Sequence, residues 1–173
     1  MANIFYLSAI RRHFRTDIES RSVNSAVTMP GYKWVRYSGA RCIVPKMITV
    51  GRDLDGSNLV IGRATHHGDL LPAKVKPEHG VAYVSYGGQE HAKHDFEILM
   101  PACIHWVPSR NGIVPHGSVE VGSTSTGETL YVGRVLHNGV MTSGKIQPSH
   151  HCLYIPYDGH EISYKDYEIL VQN

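Results

Sequence analysis

The sequence reads as an all-β protein: two pseudo-symmetric antiparallel β repeats packed as one sandwich- or barrel-like domain. Three observations predict this. The stretch from Gly51 to Met100 returns without a gap from Gly122 to Val171, with 18 of 50 aligned positions identical. Within each copy the apolar residues recur every second position, the period of a pleated strand with one face buried. Turn dipeptides then cut these runs at short, regular intervals, as in antiparallel sheets rather than helical bundles.

Taken in order, residues 1–30 have no counterpart in the second half and are expected to form an N-terminal extension. Ile4, Leu7, Ile10 and Phe14 fall near helical spacing, with Arg11, Arg12 and Arg15 interleaved. The arginines follow the apolar residues, the reverse of a secretory leader. Asp17 and Glu19 also argue against an organellar transit peptide. On this reading the protein is cytoplasmic, with unconventional secretion or vesicle association as other routes. Residues 31–101 form the first repeat and residues 102–173 the second. Each opens with a tryptophan: Trp34 leads to Val44-Pro45, and Trp106 to Val114-Pro115.

Leu59, Ile61, Arg63 and Thr65 are expected to share one strand face, answered by Leu130, Val132, Arg134 and Leu136. The pairs His67-Gly68, Asn138-Gly139, Gly87-Gly88 and Asp158-Gly159 are expected hairpin turns, with Asp55-Gly56 and Thr126-Gly127 in the preceding loops. Arg63 with Glu97 and Arg134 with Glu168 recur among apolar neighbours. A guanidinium there needs a partner, so two internal ion pairs are expected.

Composition removes several function classes. The formal charge is +2, with 17 Lys and Arg against 15 Asp and Glu. So even a balance offers no field to gather nucleic acid. No apolar run approaches the roughly 20 residues that a membrane-spanning helix needs. The three cysteines, Cys42, Cys103 and Cys152, lack C-x-x-C spacing and suggest neither a disulfide framework nor a zinc ribbon. Cys152 stands where the first copy has Val81, as a small core residue. His66 with His67, His91 with His94, and His150 with His151 lack the convergent ligand spacing of zinc sites. No nucleophile elbow or phosphate loop occurs, and no paired acids are clearly placed for glycoside hydrolysis. The expectation is therefore a binding protein, with no enzyme activity, metal or cofactor.

The order of tryptophan, Val-Pro, a turn, LYVGR, H-x-G, GK, P-x-H, C-x-Y-I-x-Y-x-G-x-E and Y-E-I-L resembles the DM-nine repeat family. The likeness covers about residues 34–171. It implies two closely associated β repeats, frequent dimerisation, and carbohydrate binding in innate recognition, since natterin-like lectins of the family bind mannose. Asp53 and Lys74, 21 residues apart, match the acid and lysine that the resemblance marks as mannose contacts.

The chemistry of the residues is compatible with that role. A carboxylate accepts from two sugar hydroxyls while an ammonium donates to their oxygens. Gln89 and Glu90 are the next candidates in the first copy. The second keeps Lys145 and Glu161 but replaces Asp53 by Thr124, so its site is expected to be weaker. Structural roles remain open for these residues: Asp53 as an Asx-turn former, Glu90 and Glu161 as hairpin stabilisers. The rival reading of the whole chain is a cytosolic or vesicle-associated adaptor that uses the same fold to bind proteins.

Overall fold

The computed structural model describes residues 31–39, 47–100 and 103–172. The expected extension over residues 1–30, with Cys42 and Val44-Pro45, lies outside the described residues. Among those described, the first repeat contributes β1 (Lys33–Arg36), β2 (Thr49–Arg52), β3 (Asn58–His66), β4 (Asp69–Lys76), β5 (Val81–Tyr86), β6 (Gln89–Lys93) and β7 (Glu97–Met100). The second contributes β8 (Ile104–Arg110), β9 (Glu120–Ser123), β10 (Thr129–His137), β11 (Val140–Gln147), β12 (Cys152–Tyr157), β13 (His160–Tyr164) and β14 (Asp166–Gln172). Among the described residues each repeat also has one 3₁₀ turn, Pro77–His79 or Pro148–His150.

The hairpins follow from their turn residues. His67-Gly68, Asn138-Gly139, Gly87-Gly88 and Asp158-Gly159 all have positive φ at both positions. A two-residue turn with both residues left-handed twists in the same sense as its flanking strands, and so closes a tight antiparallel pair. These four turns make β3–β4, β10–β11, β5–β6 and β12–β13 neighbours.

Eight strands close into an antiparallel barrel in the order β4-β5-β6-β13-β12-β11-β10-β9, with β9 pairing again with β4. Two narrow seams join the repeats. One is the register pair His160↔Gln89 between β13 and β6, the other Leu70↔Ser123 between β4 and β9. At the second seam the backbones approach so closely that a Cβ on Gly122 would lie 1.9 Å from the Leu70 carbonyl oxygen. The equivalent Gly51 would meet the Met141 carbonyl at 2.4 Å. The shared glycine is therefore a packing requirement.

Each repeat has its own apolar cluster, and a third lies between them. Val60, Leu71, Val75, Val84 and Ile98 pack in the first repeat, Ile146, Leu153, Ile155 and Ile169 in the second. Val50, Ile61, Leu99, Val121, Val132 and Leu170 form the shared cluster, flanked by Trp34 and Trp106. The expected one-sided alternation of β3 gives way here. Residues Leu59 to Ile61 are all buried, because Val60 faces the first cluster and Ile61 the shared one. Cys152 is buried at the place of Val81, while Cys103 is exposed. Both expected arginine pairs form, Arg63–Glu97 and Arg134–Glu168, each at 2.6 Å. Each guanidinium also lies over the tryptophan that opens its repeat, 4.4 Å from Trp34 and 4.5 Å from Trp106.

Candidate functional site

Strand β4 carries a lysine where its neighbours are apolar, and β11 repeats the arrangement. Lys74 and Lys145 are only 6% and 5% exposed. An ammonium so placed requires compensation, and the other repeat supplies part of it. Lys74 Nζ donates to the Pro156 carbonyl at 2.6 Å and to Glu90 Oε1 at 3.1 Å. Lys145 Nζ donates to the Ser85 carbonyl at 3.0 Å and lies 3.2 Å from Glu161 Oε1. Tyrosine rings complete each setting. Lys74 lies 5.2 Å from the Tyr83 ring and 5.6 Å from that of Tyr157, so one face comes from each repeat. Lys145 lies 5.1 Å from Tyr154 and 6.0 Å from Tyr86. Rings at this range attract a cation through their quadrupoles.

The glutamates tie the hairpin tips crosswise. Gly159 N–H donates to Glu90 Oε2 at 2.9 Å, and Gly88 N–H to Glu161 Oε2 at 2.8 Å. Backbone bonds run alongside, from Glu90 N to Gly159 O and from Glu161 N to Gly88 O. Each lysine–glutamate pair is thus completed by the opposite repeat, and neither centre exists within one repeat alone.

A cavity opens over each centre. The first, about 490 Å³, is lined by Asp53, Leu54, Lys74, Lys76, Tyr83, Glu90, Asn138, Tyr157 and Asp158. The second, about 250 Å³, is lined by Asp69, Tyr86, Gly87, Lys145, Gln147, His150, Tyr154 and Glu161. A further concavity of about 460 Å³ lies around Arg63, His94 and Phe96. Its Arg36–Asp95 and Arg63–Glu97 pairs are already satisfied by each other.

The two cavities differ at their mouths. In the first, Lys76 bridges Asp53 at 2.9 Å and Asp55 at 2.7 Å. Burial pushes the Asp53 carboxyl upward. Hydrogen bonds from Lys76 and the Leu54 amide outweigh that effect and hold it below its ordinary value. Lys76 is likewise held above the usual lysine value by the two carboxylates, against a burial effect in the other direction. Both Asp53 and Lys76 are therefore charged near neutral pH. The second copy has Thr124, Thr126 and Gln147 at these positions. The threonine hydroxyls pair with each other at 3.0 Å, and Gln147 turns to Glu128 at 2.9 Å.

Of the residues singled out by sequence, Asp53, Lys74 and Glu90 share the first cavity, and Lys145 and Glu161 the second. Gln89 is exposed at the seam opposite His160 and lines neither. Asp53 also accepts from the Leu54 amide at 2.8 Å, so turn former and cavity wall are one residue. Lys74 lies inside β4 and Lys145 inside β11, and the lysine bonded to Asp53 is Lys76. The reason is the strand period of two, which puts Lys74 and Lys76 on one face of β4, Lys74 deeper and Lys76 nearer the mouth. Sequence reasoning missed Tyr83, Tyr157, Asn138 and Asp158. The tyrosines carried a usable signal, since Tyr83/Tyr154 and Tyr86/Tyr157 are identical in both copies. Among the described residues no group of three His, Cys, Asp or Glu side chains is arranged to hold a metal ion.

A model of the DM9 repeat matches residues 53–164. The chain is 33% identical to Natterin-3 of Thalassophryne nattereri over 95 residues, which are 53% of this chain and 24% of the relative. It is 36% identical to Natterin-2 of the same species over 81 residues, 47% of this chain and 18% of that one. It thus spans a quarter or less of the length of these curated relatives. The crystal structure of the nematode sperm cell motility protein MFP2B superposes with a TM-score of 0.59 at 12% identity, over 83% of this chain and 46% of that one. This last likeness concerns the β fold alone.

Proposed function

The chain belongs to the DM9 repeat family, and from that premise we propose that it is a carbohydrate-binding protein of the mannose type that captures glycans without chemical turnover. One observation carries the reading. The first cavity sets a charged acid, a lysine–glutamate pair and two tyrosine rings around a space of about 490 Å³. Concave sites of a few hundred Å³ with a few convergent polar groups suit small ligands.

The tyrosine rings offer flat surfaces to the C–H face of a hexose, and Asp53 accepts from its hydroxyls. Glu90 and Lys74, held in place by each other and by the opposite hairpin, present fixed lone pairs and donors. The second copy has Thr124 in place of Asp53, and Thr124 does not line the second cavity, so that cavity binds more weakly. Two cavities per chain, with dimerisation, would give avidity on a surface that displays many copies of the sugar. Pattern recognition of microbial surfaces is the use to which such capture is suited.

Isothermal titration with mannose tests this. Hydrogen bonds to charged groups contribute about 1.5–3 kcal/mol each, so Asp53→Ala is expected to weaken mannose binding about tenfold or more. Unchanged affinity in this variant would remove Asp53 from the site. Wild-type protein that ignores every mannoside, while capturing protein partners, would favour the adaptor reading.

A further inference from the structure

The two cavities differ in how their carboxylates are partnered. The first is lined by Asp53, Glu90 and Asp158, with Asp55 behind Lys76, and by Lys74 and Lys76, so its lining carries one negative charge in excess, as does that of the second. Three of the acids have protein partners. Asp53 and Asp55 hold Lys76, and Glu90 holds Lys74 and the Gly159 amide. Asp158 sits exposed at the tip of the β12–β13 hairpin, lines the cavity, and receives no hydrogen bond from any described residue.

The second cavity has Gly87 at the equivalent hairpin position. Its two carboxylates are both engaged: Asp69 accepts from the Ser125 amide at 2.7 Å, and Glu161 from the Gly88 amide beside Lys145. The same scaffold thus carries an unpaired carboxylate over one sugar-sized cavity and none over the other.

We propose that the first cavity is selective for hexoses bearing an ammonium group, with Asp158 as the specificity-determining residue, and that it rejects hexuronates; this rests on the sugar-binding reading above. An ammonium on the ring answers Asp158 directly and reduces the local excess of negative charge. A sugar carboxylate adds to that excess and meets an unshielded acid at the mouth. The second cavity lacks this discrimination.

Competitive titration with mannose, mannosamine and mannuronate reads the inference, since the three share one ring and differ in charge. The expected order is mannosamine, mannose, mannuronate, with about a threefold step on each side, the size of one exposed charge pair. Raising the salt concentration shrinks both steps. In Asp158→Asn the mannosamine-to-mannose ratio falls to parity. Asparagine tolerates the positive φ at this position, so the hairpin is retained. If mannose binds but mannosamine binds no tighter, or if Asp158→Asn keeps the preference, the charge selectivity is overturned and the lectin reading survives. If no mannoside binds at all, both fall together.

Discussion

Glu90→Ala is expected to lower stability by about 3 kcal/mol and to abolish mannose capture at the first cavity. Removing one partner of a largely buried ion pair strands the other charge, and such losses run to about 3–5 kcal/mol. Here the stranded group is Lys74, whose side chain is 8% exposed, against 12% for Glu90. The lower end of the range applies because the Pro156 carbonyl and two tyrosine rings remain around the ammonium. The Gly159 amide at the opposite hairpin loses its acceptor as well, so part of the effect falls on the seam between repeats.

Chemical denaturation separates the two roles of the pair. Lys74→Met combined with Glu90→Ala removes the stranded charge, so the double variant is expected to recover at least half of the lost stability. It is not expected to recover binding. A double variant as unstable as the sum of the single ones would show that the pair is not coupled. Glu161→Ala in the twin centre is expected to cost a similar amount of stability while leaving the first cavity's mannose affinity intact.

Gly122→Val has the other large expected effect, about 3 kcal/mol or more, and it acts through shape alone. A Cβ at this position would sit 1.9 Å from the Leu70 carbonyl oxygen, and backbone cannot move aside as a flexible side chain can. Relief would have to come from opening the seam at Leu70↔Ser123, the pairing by which β9 closes the barrel onto β4. Overpacking of ordinary cores costs about 1–3 kcal/mol, and a rigid backbone contact lies at or above the top of that range. For a chain of this size the expected fall in Tm is about 6–12 °C. Gly31→Ala serves as control, since no described residue lies within 4 Å of its added Cβ, and it should stay within about 0.5 kcal/mol of wild type. Equal melting of the two variants would mean that the seam is not tightly packed.

Much of the fold was legible in the chain because its signals are local. Period-two runs, paired turn residues and a gapless repeat are each visible within a few positions, and the hairpins at His67-Gly68 and Asp158-Gly159 follow from turn chemistry alone. The arginine–glutamate pairs were legible for a related reason: both members recur in both copies among apolar neighbours. The site was only half legible. Lys74 and Glu90 lie 16 residues apart within one repeat, but the carbonyl that fixes Lys74 belongs to Pro156, 82 residues away. Tyr157 and Asp158 reach the first cavity from the second repeat, so reading each repeat as its own site could not assemble them. Lys76 escaped notice because its second-copy counterpart is Gln147, whereas its role depends on Asp53 and Asp55, which the second copy also lacks.

Diffraction from crystals soaked in mannose tests the account most directly. One hexose is expected between Tyr83 and Tyr157, with its hydroxyls within hydrogen-bond reach of Asp53 and the Lys74–Glu90 pair. Density for the sugar at another surface, or an empty first cavity at saturating mannose, would contradict it.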